Sequence, residues 1–137
     1  MIKKKFQLFA IVLILSLLAA CGTEKRADAL DGTAWQLVTM GEELPLPEST
    51  LTIAFEDGQA GGSAGCNSYG GTYTIKDNEF GLTDIASTLM ACLDSGVMEQ
   101  EQAYLVFLGE VTSYNISADV LYLSRPDGSS LRFIAQP

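Results

Sequence analysis

The chain contains no histidine. That absence removes the usual general base at neutral pH. With it go the serine and cysteine hydrolase mechanisms of the type that uses an imidazole to take the nucleophile's proton. Cysteine is scarce, with three in all, at Cys21, Cys66 and Cys92. With so few thiols and no histidine, a zinc site is not expected. Basic residues are scarce as well, 8 against 17 acidic, for a net charge of −9. A surface of that sign repels a phosphate backbone, so nucleic acid is not an expected partner. No internal repeat and no low-complexity segment is present.

What is there begins with a targeting segment. Residues 1–21 read MIKKKFQLFAIVLILSLLAAC. Three lysines precede an apolar run from Phe6 to Leu18, and two small residues, Ala19 and Ala20, close it. This is the pattern of a signal peptide over residues 1–20. The run is shorter than the ~20 apolar residues of a spanning helix, and an N-terminal anchor helix is the alternative. Leu18-Ala19-Ala20-Cys21 resembles the lipobox of bacterial lipoproteins. The resemblance implies a diacylglycerol thioether on Cys21, palmitate-type acyl chains there, and Cys21 as the new N-terminus. Several chains on one residue give stable anchoring, at about 0.8 kcal/mol per buried CH₂. A plain secreted protein is the other reading.

Processing alters both charge and cysteine count. The signal removes Lys3, Lys4 and Lys5 and no acid, leaving 5 basic and 17 acidic residues, a net charge of −12. With Cys21 lipidated, Cys66 and Cys92 remain. An exported domain sits where thiols pair, so a Cys66–Cys92 disulfide is expected, with two buried free thiols as the alternative. Gly22, not Asp, follows the lipidated position. That favours the outer membrane in a two-membrane cell, and the outer face of the plasma membrane otherwise. Residues 21–29 are polar and aperiodic and read as a tether.

The folded part, residues 30–137, is strand-like. Alternation marks 33–39 and 51–56, with Asp57-Gly58 as a hairpin turn. Residues 70–76 and 80–85 form a further pair around 77–79. The stretches 120–125 and 130–135 flank a turn carrying Pro126 and Asp127-Gly128. Residues 94–111 instead space Val97, Met98, Glu101, Leu105, Leu108 and Val111 at helical intervals, predicting one helix over about 95–110, capped by Asp94 or Ser95. Glu99 and Glu101 suit its N-terminal dipole. The sum is a mainly β fold of seven or eight short antiparallel strands and one helix, a sandwich or barrel.

Residues 61–73, GGSAGCNSYGGTY, imitate three chemistries. Gly61-Gly62-Ser63-Ala64-Gly65 has the form of a nucleophile elbow, but no histidine exists to serve Ser63. Gly65 with Gly70-Gly71-Thr72 imitates a P-loop, but Gly71 stands where the phosphate-binding lysine belongs. Cys66 as a nucleophile lacks its base, and as a redox centre it lacks the close partner of C-x-x-C. No acidic turn follows the calcium-loop spacing. Seventeen acids make accidental carboxylate pairs common, so pairing alone carries no signal for glycoside cleavage. No catalytic residue, cofactor or metal is expected.

The same residues resemble a family. Leu30-Asp31-Gly32-Thr33-Ala34-Trp35-Gln36-Leu37 is similar to the opening of the META (HslJ-like) domain. Gly65, Cys66, Asn67, Gly71 and Tyr73 match its central segment. Ala86, Ser87, Thr88, Met90, Ala91 and Cys92 match the segment that follows. The resemblance covers residues 30–137. It implies a compact antiparallel β-barrel-like fold with a helix, and a bacterial envelope protein linked in some members to stress. It implies no catalytic activity. Gly65, Gly70, Gly71, Asn67 and Tyr73 then read as a barrel corner pinned by the cysteine pair. A recognition tip at Asn67, Ser68 and Tyr69 is the functional alternative. The expected protein is a non-enzymatic, monomeric envelope accessory that binds an unidentified envelope protein or ligand. A small apolar-ligand carrier using a barrel cavity is the second reading.

Overall fold

The Asp57-Gly58 turn works as expected. In the computed structural model, which describes residues 28–137, Asp57 and Gly58 both take positive φ, 50° and 79°. They join β2 (Thr52–Glu56) to β3 (Gln59–Ser63). The remaining strands are β1 (Thr33–Met40), β4 (Ser68–Lys76), β5 (Glu79–Ser87), β6 (Ser113–Ser117), β7 (Val120–Ser124) and β8 (Ser130–Ala135). All eight pair antiparallel in sequence order, and β8 returns to β1, closing a barrel. One helix, α1 (Val97–Glu110), lies between β5 and β6. The signal peptide, Cys21 and the tether up to residue 27 lie outside the described residues. Asp28 does not belong to that tether, because its Oδ2 accepts from the Tyr73 hydroxyl at 2.6 Å.

Two strands were not legible as such. The glycine-rich half of β3 offers no alternation, yet Gly61, Gly62 and Ser63 pair with Gly70, Tyr69 and Ser68. β6 is short and polar. It touches β5 only at Glu79↔Ser113, while pairing fully with β7.

The register separates the barrel into two ends. Thr33 lies opposite Phe55, Trp35 opposite Ala135, and Lys76 opposite Glu79, so these mark one end. Met40 lies opposite Leu131, and Ser63 opposite Ser68, at the other. Inward alternation fills the lumen between them. Trp35, Leu37, Ile53, Phe55, Tyr69, Tyr73, Phe80, Leu82, Leu121, Leu123, Leu131 and Phe133 are all buried. Phe55 meets Tyr73 and Phe80 edge to face, at 5.0 and 6.1 Å between centroids. A small barrel of this kind is a side-chain core rather than a hollow.

Both ends are plugged. Leu30, fully buried, closes the end near Thr33. α1 closes the other with Tyr104, Phe107 and Leu108. The expected helix is therefore present, but its cap is not Asp94 or Ser95. Gly96 takes the N-cap at φ 83° with no side-chain cap bond. A left-handed turn there favours glycine. The buried stripe also differs from the expected one. Val97, Glu101 and Leu108 are in it, joined by Tyr104 and Phe107, whereas Met98 is exposed. The larger aromatic rings take the lumen side.

Candidate functional site

The stretch 63–73 is not one corner. Ser63 ends β3, residues 64–67 link the strands, and Ser68 begins β4. The link is tight. Gly65 has φ 110°, and a Cβ there would meet Ser49 Oγ at 2.7 Å. Gly71 lies inside β4, beside the register shift against β5. A Cβ on it would stand 2.7 Å from the Thr83 carbonyl oxygen, so the motif requires glycine for close approach.

Asn67 occupies the centre of the link and is 2% exposed. Its φ is not positive, so it does not supply a left-handed turn. It works through its side chain. Oδ1 accepts from the Met90 backbone N–H at 2.6 Å and from the Thr88 hydroxyl at 2.8 Å. Nδ2 donates to the Met90 carbonyl at 3.1 Å and to Glu101 Oε1 at 2.7 Å. The amide thus uses its full capacity of two donors and two acceptor pairs.

Glu101 completes the hub. It comes from the second turn of α1, on the face turned into the barrel, and is 5% exposed. Its Oε2 accepts from the backbone N–H of Asn67 at 2.6 Å and of Cys66 at 3.2 Å. No buried side-chain polar atom among the described residues lacks a partner. From the sequence Glu101 is one member of the helical stripe, suited to the helix dipole, with no buried role indicated. The available signal was an acid on an otherwise apolar helical stripe, where a charged residue is rarely buried without partners.

The cysteine pair joins the same place. Cys66 and Cys92 form a disulfide, with Cα atoms 5.9 Å apart. Thr88 adds two more ties, donating its N–H to the Ser68 carbonyl at 3.0 Å and accepting from Ser68 N at 3.2 Å through Oγ1. Ser87 closes β5 opposite Tyr69.

The recognition tip needs correction. Ser68 is exposed, but Asn67 and Tyr69 are buried, so no three-residue tip projects there. Tyr69 turns into the lumen. Its hydroxyl lies 2.9 Å from that of Tyr104 and donates to the Thr52 carbonyl at 2.9 Å. Burial pushes both phenols above their ordinary value of 10.0. For Tyr69 the Tyr104 hydrogen bond opposes that rise; for Tyr104, Tyr69 adds to it.

The remaining motif residues sit at the opposite end. Gly32, at φ 75°, donates to the Phe55 carbonyl. Trp35 is buried in β1, and its Nε1 donates to Thr33 Oγ1 at 2.7 Å. Tyr73 is raised by burial first, then by its bond to Asp28 and the charges of Asp28, Asp31 and Asp57. The structure therefore divides the motif. Gly65, Asn67, Ser87, Thr88, Cys66 and Cys92 hold the helix end, while Gly32, Trp35 and Tyr73 hold the other.

Comparison with known proteins agrees with this architecture. The META domain profile matches residues 28–137. No protein of curated function matches the chain. A protein of Burkholderia xenovorans solved by NMR is similar at 27% identity and a TM-score of 0.65, over 78% of this chain and 83% of that one. A second NMR structure shares the fold at 20% identity and a TM-score of 0.63, covering 77% of this chain and 90% of its own. A crystal structure of a DUF4847 family protein from Bacteroides vulgatus shares it at 14% identity and a TM-score of 0.59, covering 77% and 94%.

Proposed function

The chain belongs to the META domain family, and from that premise we propose a lipid-anchored accessory protein of the bacterial cell envelope that binds rather than catalyses. One observation supports reading the motif as non-catalytic. The hub at Asn67 and Glu101 spends its hydrogen-bonding groups on the chain itself, on Met90, Thr88 and Cys66. A catalytic constellation keeps a nucleophile or base aimed at open space. Here the polar groups instead fasten a helix and a loop to a barrel.

The packed lumen weighs against the apolar-ligand carrier. A carrier needs an internal cavity of a few hundred Å³. Where such a ligand would sit, Phe55, Tyr73 and Phe80 meet, with Phe133 buried in the same core. The anchoring half rests on the Leu18-Ala19-Ala20-Cys21 sequence and the basic-apolar pattern before it.

Metabolic labelling with a palmitate analogue tests the anchor. Label should enter the full chain and disappear in Cys21→Ser, with the protein moving from membrane to soluble fractions. Equal labelling of the variant removes the anchoring half and leaves the binding half untouched.

A further inference from the structure

Residues 88–93 connect β5 to the turn before α1 without regular structure. Three alternate positions tie them down. Thr88 is held through its backbone and hydroxyl, Met90 through both backbone groups to the Asn67 amide, and Cys92 through the disulfide. The side chains between and after these ties have nowhere to go but outward. Leu89 is 96% and Leu93 98% exposed, and Met90 adds 57%. Single exposed leucines are ordinary. A run of large apolar side chains held out by a disulfide and a saturated amide is not, because it keeps apolar surface in water at fixed geometry. Such pre-organisation lowers the ordering cost of association.

The strip continues toward α1. Three residues beyond Leu93, Gly96 packs near Leu46. There a groove opens between the 43–46 loop and the helix, lined by Leu44, Pro45, Leu46 and Ala103. Its polar members are Glu43, Glu99 and Gln100, the last of which is bonded to Leu46 N–H and Ser49. Asp94 flanks the strip itself. Cations that could balance these acids are few. The described residues hold 16 acidic side chains and only Lys76, Arg125 and Arg132. Arg125 is engaged by Glu110 and Asp127, Lys76 marks the other end of the barrel, and Arg132 stands in β8 opposite Thr39, a single cation beside Met40 of the groove.

We propose that this strip and groove dock a cationic amphipathic segment of a partner protein, its apolar side on Leu89, Met90 and Leu93 and its basic side toward Asp94, Glu43 and Glu99. Charge decides among occupants. A second copy of so acidic a chain is repelled, and so is an anionic lipid surface; a basic partner is steered in. The amphipathic helix in an apolar groove is an established recognition mode, and it supplies both kinds of contact at once. The inference rests on the binding reading above and is independent of the anchor. A protein that takes palmitate but ignores a cationic segment fails here alone.

The probe is a fluorescein-labelled helical peptide of leucine and lysine, titrated with the purified full-length protein and followed by anisotropy. Saturable binding is expected, weakening severalfold from low to physiological salt. Leu89→Ser/Leu93→Ser should weaken it tenfold or more while leaving the thermal midpoint unchanged, since both side chains are already in water. Asp94→Asn/Glu99→Gln should weaken it at low salt and flatten the salt dependence. Absence of saturable binding overturns the proposal. So does equal affinity for the double serine variant, or for a leucine–serine peptide without charge. Two further arms name the rivals. Vesicles of zwitterionic or anionic lipid that sediment the protein through Leu89 and Leu93 would assign the strip to a lipid surface. A dimer in sedimentation velocity that the serine variant abolishes would assign it to a second copy. Either result overturns the cationic partner.

Discussion

Replacing Glu101 by Gln changes one oxygen to an amide nitrogen and almost no volume, so the cost reports charge and hydrogen-bond polarity rather than packing. The orientation of Asn67 is already fixed, because Met90 N–H faces Oδ1 and the Met90 carbonyl faces Nδ2. Glu101 then meets donors only, namely Asn67 Nδ2, Asn67 N–H and Cys66 N–H. A Gln oxygen turned to the two backbone groups places its NH₂ against Asn67 Nδ2, donor to donor. The reverse rotamer faces two backbone donors with an NH₂, which is worse. Flipping Asn67 relieves the first clash but sets its NH₂ against Met90 N–H. Every arrangement strands at least one buried donor.

One stranded donor, with one bond to a charged acceptor lost, costs about 2–3 kcal/mol. Glu101→Ala strands all three and should cost about 3–5 kcal/mol, the range for breaking a buried charged network. For a domain near this size each kcal/mol lowers the midpoint by about 4 °C. The losses are then about 8–12 °C for Gln and about 12–20 °C for Ala. Urea unfolding gives the free energies directly, read from Trp35, the single tryptophan. Trp35 sits at the far end of the barrel from Glu101, so a shifted midpoint at an unchanged slope also shows that both ends unfold together. A Gln variant within about 1 kcal/mol of the parent would refute the assigned polarity of the hub.

Two other outcomes follow from the same geometry. The disulfide closes a separation of 26 residues, so reduction should cost about 3–4 kcal/mol on the chain-entropy model. Thermal scans with and without reductant check this, and a Cys66→Ala/Cys92→Ala variant should match the reduced protein. Tyr69, Tyr73 and Tyr104 have folded values raised above 10.0. Their stabilisation is fully present below the unfolded phenol's value and is lost as pH rises through the folded ones. Phenolate absorbance should therefore show three of the five tyrosines titrating only together with alkaline unfolding.

Much of this fold was legible because its strands alternate. Leu51, Ile53 and Phe55, or Leu121 and Leu123, announce an inward face at period two. Where that signal fails, the reading failed. β3 is built of glycines because its neighbours approach too closely for side chains, so it carries no pattern to read. Gly62 makes the point, since a Cβ there would overlap the Thr52 carbonyl oxygen. The site was legible as residues and not as roles. GGSAGCNSYGGTY and STLMAC are separate in sequence, and nothing in either says that one asparagine amide bridges them.

The further partner of that asparagine, Glu101, lies on a third segment, where its acidity resembles ordinary helix-dipole chemistry. That misreading is informative. Local rules assign a charged residue to the nearest local cause, whereas a closed barrel brings the helix end, a strand link and a loop to one point. Burial reverses the meaning of the residue. In water Glu101 would be a weak dipole partner worth a few tenths of a kcal/mol. Inside, it accepts three hydrogen bonds from Cys66 and Asn67 and so ties the helix to the strand link, and removing it should cost roughly tenfold more. The exposed leucines read the other way. Leu89 and Leu93 belong, by composition, to a core. They stand in water because the hub and the disulfide use the residues beside them. The same network therefore fastens the helix lid and sets out the apolar strip, and mutations that loosen Asn67 should weaken stability and partner binding together. Leu89→Ser/Leu93→Ser should touch binding alone.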